Sequence, residues 1–417
     1  RVPAGAAIAV AVSGGGDSMA LALLADGWCR RHGGTLTALT VDHGLRAGSD
    51  AEALKVGGWL AAAGIGHRIL VWDGDKPATG IQAAARAARY GLLTDWARRN
   101  RTGHILVAHN LEDQAETFLM RAAQGAGIYG LAGMAPVSRR RGVGIHRPLL
   151  EISGARLRQT LTAKCQQWIE DPSNANPAFQ RTHTRRLVTA LGQVGAPATR
   201  LALLAGHFRS ARTRLDGLAG ALIGGAVVRH TTGYCQLQTQ IFRCAPLMVA
   251  LHALRKILGE IGGRDYPASG DKLERGLGRL LDSGDDRAFT LAGCRIIKAG
   301  GGPGTVLICR EERNAGERLT VTAGGRLFWR GVFEIALEGR DGGSDGPVYL
   351  GPLGQVGWSE IASKIEGGDA LLPPFPVRTA LPALFDRTGV AEVPHLGYVR
   401  VAGRLPVIGI DWVRPAL

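Results

Sequence analysis

The stretch "VAVSGGGDSMALALL", Val10 to Leu24, constrains the fold more than any other part of the chain. A short apolar run, Ala7 to Val12, meets Ser13-Gly14-Gly15-Gly16-Asp17-Ser18, and the apolar run from Met19 to Leu24 is long enough to begin a helix. Strand, glycine loop and helix in that order cradle a phosphate, because unpaired N–H groups at a helix start attract anions. The lysine and spacing of a GxxxxGK[ST] loop are absent, and an acid, Asp17, stands at the helix start. An acid beside a triphosphate repels it unless a cation lies between, so Asp17 reads as a Mg²⁺ ligand. The plain alternative is a helix N-cap worth about 1 kcal/mol. Ser13 and Ser18 add hydroxyl donors.

The next hundred residues repeat the alternation of short apolar and longer amphipathic runs. Strands are expected at 7–12, Leu36–Val41, His67–Trp72 and His104–Ala108, and helices at 19–31, 50–63, 81–99 and 112–124. Ser49-Asp50-Ala51-Glu52 reads as a capping box for the second helix. This spacing predicts an α/β domain, a doubly wound parallel sheet with helices on both faces. Ligands bind such sheets at the carboxyl ends of the strands. Ser13–Ser18, Asp42-His43 and His109-Asn110 all follow expected strands and so should share one rim.

Further on, helices are expected at 155–170, 199–223, 247–260 and 271–282, then a hairpin of Cys294–Lys298 and Thr305–Cys309. The tail is rich in Gly and Pro with short apolar runs. Boundaries near Gly192–Pro197 and Arg313–Gly316 divide the chain into a catalytic domain at 1–195, a mainly helical domain at 196–312 and a small β-containing C-terminal domain at 313–417.

Charge points to a polyanion. The 417 residues carry 50 Lys+Arg against 35 Asp+Glu, a net +15. Residues 1–200 hold 24 against 14, residues 201–310 hold 15 against 8, and residues 311–417 hold 11 against 13. The excess therefore precedes residue 311, as expected of a nucleic-acid partner bound through counterion release. The six cysteines show no CxxC pair or metal-finger spacing and read as reduced thiols of a cytoplasmic protein. No apolar segment reaches the roughly 20 residues that span a bilayer, so no membrane partner is expected. The apolar residues 6–12 read as a buried strand rather than a signal peptide, and Arg1 in place of Met suggests a trimmed start.

Several constellations carry chemistry. "VDHGLR" ends the second strand, and "AARAARYGLL" sets Arg86, Arg89 and Tyr90 on one helical face, for which a solvated basic face is the plain reading. "AHNLEDQAET" packs His109, Glu112, Asp113 and Glu116 into the first turns of a helix at the rim, where acids serve either the helix dipole or a reacting group. "EDPSNANPAFQRTHTRR" supplies a turn and then Arg181, Arg185 and Arg186, a basic strip suited to phosphates.

Together, SGGGDS, VDHGLR, ARAARY, AHNLEDQAET, GAGIYGLAGM, RPLL and EDPSN resemble, in order, the motifs of bacterial tRNA(Ile)-lysidine synthases, a family of the PP-loop ATP pyrophosphatase superfamily. The resemblance covers residues 13–186; a weaker one, "LPALFDRTGVAEVPHLGYV", lies near the C-terminus. It implies an adenine nucleotide alpha hydrolase-like domain that splits ATP between the α- and β-phosphates. It further implies ATP and Mg²⁺ as cofactors, with a CAU-anticodon tRNA(Ile) and L-lysine as partners; a homodimer is compatible with it. By that resemblance Ser13, Gly14, Gly15, Gly16, Asp17 and Ser18 bind ATP, and Asp17, Arg89, His109 and Asp113 lie at the reacting centre. Asp17 and Asp113 would hold the metal, Asp113 and Glu116 the lysine, and Arg181, Arg185 and Arg186 the tRNA. The family commonly has histidine at Asn110, aspartate at Glu112 and asparagine at Thr182. Two other readings stay open: a tRNA thiolation enzyme, which needs cysteines this chain lacks at the rim, and a non-catalytic RNA-binding protein.

Overall fold

The computed structural model describes residues 2–45, 48–74, 76–77, 79–170, 180–263, 269–298, 304–311, 318–321, 326–329, 333–337, 347–365, 372–400 and 407–412. The chain divides into two compact units, Arg1–Thr213 and Arg214–Leu417.

The N-terminal unit opens as the alternation predicts: β1 (Ala7–Ala11), α1 (Gly16–His32), β2 (Thr35–Asp42), α2 (Ser49–Ala62), β3 (Gly66–Val71), α3 (Ile81–Arg99), β4 (His104–Leu106) and α4 (Leu111–Ala123). After a short helix, α5 (Ile128–Leu131), an unexpected hairpin follows, β5 (Val137–Arg140) and β6 (Val143–His146). Its turn residues Arg141 and Gly142 have φ of 47° and 82°, the left-handed conformation of a tight hairpin turn. Then come α6 (Gly154–Ala163), α7 (Gln180–Gln193) and α8 (Ala198–Ala226), inside which the division between units falls.

The strands form one sheet in the order β3-β2-β1-β4-β6-β5, parallel except for β5. From β1 the chain steps outward to β2 and β3, then returns to lay β4 on the other side of β1. The order reverses at β1, so a crevice opens between its carboxyl end and that of β4. Alternation along β1 decides which side chain enters which layer. Ile8 and Val10 join the core made with α1 and α6, while Ala9 joins Tyr90, Leu93 and Ala97 of α3 on the opposite face.

Two local expectations differ. Ser49 opens α2 itself; the N-cap is Gly48 at φ 86°, without a side-chain cap, and the Ser49 hydroxyl bonds the Asp42 carboxylate instead. The helix expected to reach residue 170 stops at Ala163, and Cys165 takes φ 51° as the chain turns towards the glycine loop.

In the second unit, α9 (Leu247–Gly262) and α10 (Gly270–Leu281) pack on a five-stranded antiparallel sheet. The expected hairpin is its centre, at Cys294–Ile297 and Thr305–Arg310; strands Val227–His230, Tyr234–Gln238 and Phe289–Leu291 were not expected. The tail adds a five-stranded and a three-stranded sheet, so its Gly- and Pro-rich stretch does contain β-strands. No single described helix is long and apolar enough to cross a membrane.

Leu161 of α6 is fully buried against α1. Leu161→Ala should cost about 2–5 kcal/mol, read as a lower urea midpoint, because the cavity cannot collapse between two helices and a sheet.

Candidate functional site

The glycine loop fills the crevice at the end of β1. Gly14 has φ 86°, and a Cβ there would lie 2.7 Å from Val56 and 2.9 Å from Ile169, so no other residue fits. Its carbonyl accepts the Ile169 N–H at 2.9 Å. Gly15 is the N-cap of α1, and the N–H groups of Gly16 and Asp17 therefore stand in the first turn, where no carbonyl lies one turn back to receive them. The serines divide their work. Ser18 is buried; its hydroxyl donates to the Gly15 carbonyl at 2.8 Å and accepts the Ser13 N–H at 3.2 Å, which locks the loop. Ser13 is exposed, with its hydroxyl 3.3 Å from that of Ser18.

Asp17 is not a helix cap. Its Oδ2 accepts from the Asn110 side-chain amide at 3.0 Å, and its Oδ1 is buried with no hydrogen-bond partner. Asn110 ends the turn after β4 and caps α4. Its Oδ1 accepts the Asp113 N–H at 2.9 Å, while Asp113 Oδ2 accepts the Asn110 N–H at 3.1 Å, a complete capping box. One carboxamide thus holds Asp17 and Asp113 beside each other. Glu112 stays close to the pair, its Oε2 accepting the Gly154 N–H at 3.0 Å at the start of α6.

Burial raises the Asp17 pKa above the ordinary carboxylate value, and the Asp113 charge raises it further; Arg158 opposes this, Glu112 adds to it, and the Asn110 hydrogen bond lowers it. The site is an electronegative pocket wall beside an electropositive loop. Among the described residues no three His, Cys, Asp or Glu converge as a metal cage. Mg²⁺ needs no such cage: one or two carboxylates, phosphate oxygens and water suffice. The orphaned Asp17 Oδ1 fits that donor set.

Half-buried His109 directly precedes Asn110 in the turn from β4. Arg89, half-buried on α3, lies close enough to His43 at the end of β2 for its charge to lower the His43 pKa, after the larger effect of burial. Glu116 and Arg185, assigned to different ligands from sequence, meet: Arg185 Nε lies 2.8 Å from Glu116 Oε1, and the glutamate side chain is 3% exposed. Arg186 is exposed on α7. Arg181 belongs to the same helix, but its side chain lies outside the described residues, as does Arg46.

Sequence reasoning passed over two contributors. Asn110 was visible as Asn-x-x-Asp before an apolar run, a capping-box pattern. Arg158 had no local signal, because only the docking of α6 beside α1 brings it to Asp17.

A raised carboxylate pKa favours the folded state below the ordinary Asp pKa, and that contribution is lost as pH rises through the raised value. Asp17→Asn should therefore melt above wild type near neutral pH without added cation, and the gap should close as pH falls. Melting curves across pH check this.

The PP-loop domain family matches residues 3–191. The tRNA(Ile)-lysidine synthase of Ruegeria pomeroyi is 40% identical over 324 residues, 78% of this chain and 75% of that protein. That of Hyphomonas neptunium is 41% identical over 296 residues, 69% and 78% of the two chains, and that of Wolbachia pipientis wMel is 33% identical over 349 residues, 83% and 80%. Among solved structures, the U34-tRNA thiolase NcsA from Methanococcus maripaludis gives a TM-score of 0.44 at 16% identity over 50% of this chain and 74% of that one.

Proposed function

The chain belongs to the tRNA(Ile)-lysidine synthase family, and from that premise we propose that it is an ATP-dependent ligase joining L-lysine to C2 of the wobble cytidine, position 34, of CAU-anticodon tRNA(Ile). The observation that carries the residue-level reading is the Asp17–Asn110–Asp113 cluster beside the glycine loop. ATP lies with its phosphates at Ser13–Ser18, facing the first-turn N–H groups of α1. Asp17 and Asp113 would hold Mg²⁺, which would supply positive charge to the departing pyrophosphate.

In the first step the cytidine C2 oxygen attacks the α-phosphorus. A new P–O bond forms as the bond to pyrophosphate breaks, and Arg89 offsets the negative charge that develops. In the second, the lysine ε-amine bonds to C2 and AMP leaves with the oxygen. A free ε-amine has a pKa near 10.4, so only about one molecule in two thousand is neutral at pH 7. The site must hold the ammonium and then take its proton. Asp113 and Glu116 hold it, Glu116 sharing its charge with Arg185, and His109 and Asp113 are the proton acceptors at the rim. The tRNA lies across Arg181, Arg185 and Arg186 and the basic module 196–312, with 1–195 as the catalytic module and 313–417 as the C-terminal one.

Purified protein given tRNA, ATP and lysine, each omitted in turn, tests the scheme. Pyrophosphate release should need tRNA and ATP, and AMP release should need lysine as well; release of AMP without lysine would sink the ligase reading. Asp17→Asn should lower tRNA-dependent pyrophosphate release by roughly 10²–10³-fold, the scale of removing one preorganised electrostatic group. Asp113→Asn should slow lysine transfer more than adenylation, so that adenylated tRNA, trapped with labelled ATP, accumulates; a complete block before adenylation would leave Asp113 a metal ligand with no part in taking the amine's proton.

Replacing Arg185 and Arg186 together with alanine should weaken tRNA binding and flatten its salt dependence by about 0.7–0.9 log units for each phosphate that is no longer neutralised. An unchanged slope would place the tRNA elsewhere.

A further inference from the structure

Three arginines gather on one aromatic ring, and only Arg89 among them enters the reaction above. The guanidinium carbons of Arg86 and Arg89 on α3 and of Arg140 on β5 lie 5.3, 5.4 and 4.8 Å from the ring centroid of Tyr90. Tyr90 is 4% exposed and packs with Leu93, Ala97, Ile105 and Ile145, so the ring is a fixed seat rather than a mobile surface group. Arg86 and Arg140 are exposed, and neither pairs with a described acid. Arg141, one residue on, does: it reaches Asp95 at 3.0 Å.

A solvated basic face is the plain reading of Arg86 and Arg89 alone. Arg140 changes the argument, because it comes from a different element and converges on the same ring. Cation–π attraction holds each guanidinium over the ring, yet three like charges around one seat repel each other. With no counter-ion for two of them among the described residues, an anion that bridged them would relieve that repulsion. A guanidinium is planar with five N–H donors, and its fork matches phosphate oxygens.

Strand register sets the Arg140 end of this cluster apart from the ATP loop. Arg140 lies opposite Val143 at the turn of the hairpin, and the next residue of β6, Gly144, lies beside His104, the first residue of β4. Arg140 therefore leaves the sheet where the parallel strands begin, whereas the glycine loop lies where β1 ends. A nucleotide seated on the loop has its phosphates at the far end of the strands from the Arg140 backbone. A polynucleotide can cover both.

We infer that Arg86 and Arg140, seated on Tyr90, form a ledge that binds the sugar–phosphate backbone of the RNA substrate, apart from the ATP loop. This rests on the reading of the chain as an enzyme acting on tRNA. The ledge contributes affinity and orientation, and it reads no base, since guanidinium–phosphate bonds carry no sequence information.

The test uses the full-length protein, transcribed CAU-anticodon tRNA(Ile), and the Arg86→Ala/Arg140→Ala double variant. The slope of log Kd against log salt should fall by roughly 0.7–0.9 for each phosphate that is no longer neutralised, with the KM for ATP and the urea midpoint unchanged. An unchanged slope and affinity overturn the ledge. A raised KM for ATP with tRNA binding intact also overturns it and assigns the phosphate to ATP. Single Arg140→Gln, on an exposed edge strand, gives the smaller change in the same direction should the double variant fold poorly. Lysidine formation by the wild-type protein is measured alongside. Its absence defeats the ligase reading while the salt slope still decides the ledge, so the two failures are distinguishable.

Discussion

Asn110 donates its amide to Asp17 and accepts the N–H of Asp113, and the N-terminal site depends on that pair of bonds. Two carboxylates brought together out of water repel, and burial already raises the Asp17 pKa. A neutral carboxamide between them lowers the cost without consuming their charge. It also fixes the first turn of α4 to the first turn of α1, so the two helices that follow β1 and β4 begin at a set separation. The mouth of the crevice is therefore built by hydrogen bonds among groups that a phosphate and a cation would also engage.

Family resemblance alone leads one to expect a histidine at position 110. A protonated imidazole there would neutralise the acids, whereas the amide leaves them negative and holds them by geometry. Glu112, in the place of an aspartate, uses its extra methylene reach to accept the Gly154 N–H and anchor α6. The departures thus have local physical consequences, and both keep the rim polar.

Net charge overstates what is available to a polyanion. In the second unit Arg229 meets Glu260 through two hydrogen bonds, at 2.8 and 3.1 Å, and Lys256 and His252 both reach Asp216. In the first, Arg185 is committed to buried Glu116, and Arg121 donates to the Gly130 and Gly133 carbonyls, pinning the glycine-rich segment to α4. Where the acid is buried, as at Glu116, breaking the pair leaves a lone charge behind and is destabilising. Cations without a described carboxylate partner, such as Arg86 and Arg140, meet a phosphate without a rival, whereas Arg185 would divide its charge between Glu116 and the tRNA.

Local pattern determined much of this protein. The order of strands and helices up to α4, the position of the phosphate loop and the rim residues after each strand follow from periodicities of two and 3.6 residues and from glycine, which are properties of neighbours in the chain. Ser49 shows where that reasoning ends: it has the right spacing for a cap, but the carboxylate of Asp42 offers its hydroxyl a better partner than the helix start does. The pairings that define the site join residues far apart in sequence, Asp17 to Asn110, Glu112 to Gly154 and Glu116 to Arg185. Only the tertiary structure decided those, because they exist once β4 lies beside β1 and the helices after them dock. A charged side chain then takes the partner that burial leaves within reach.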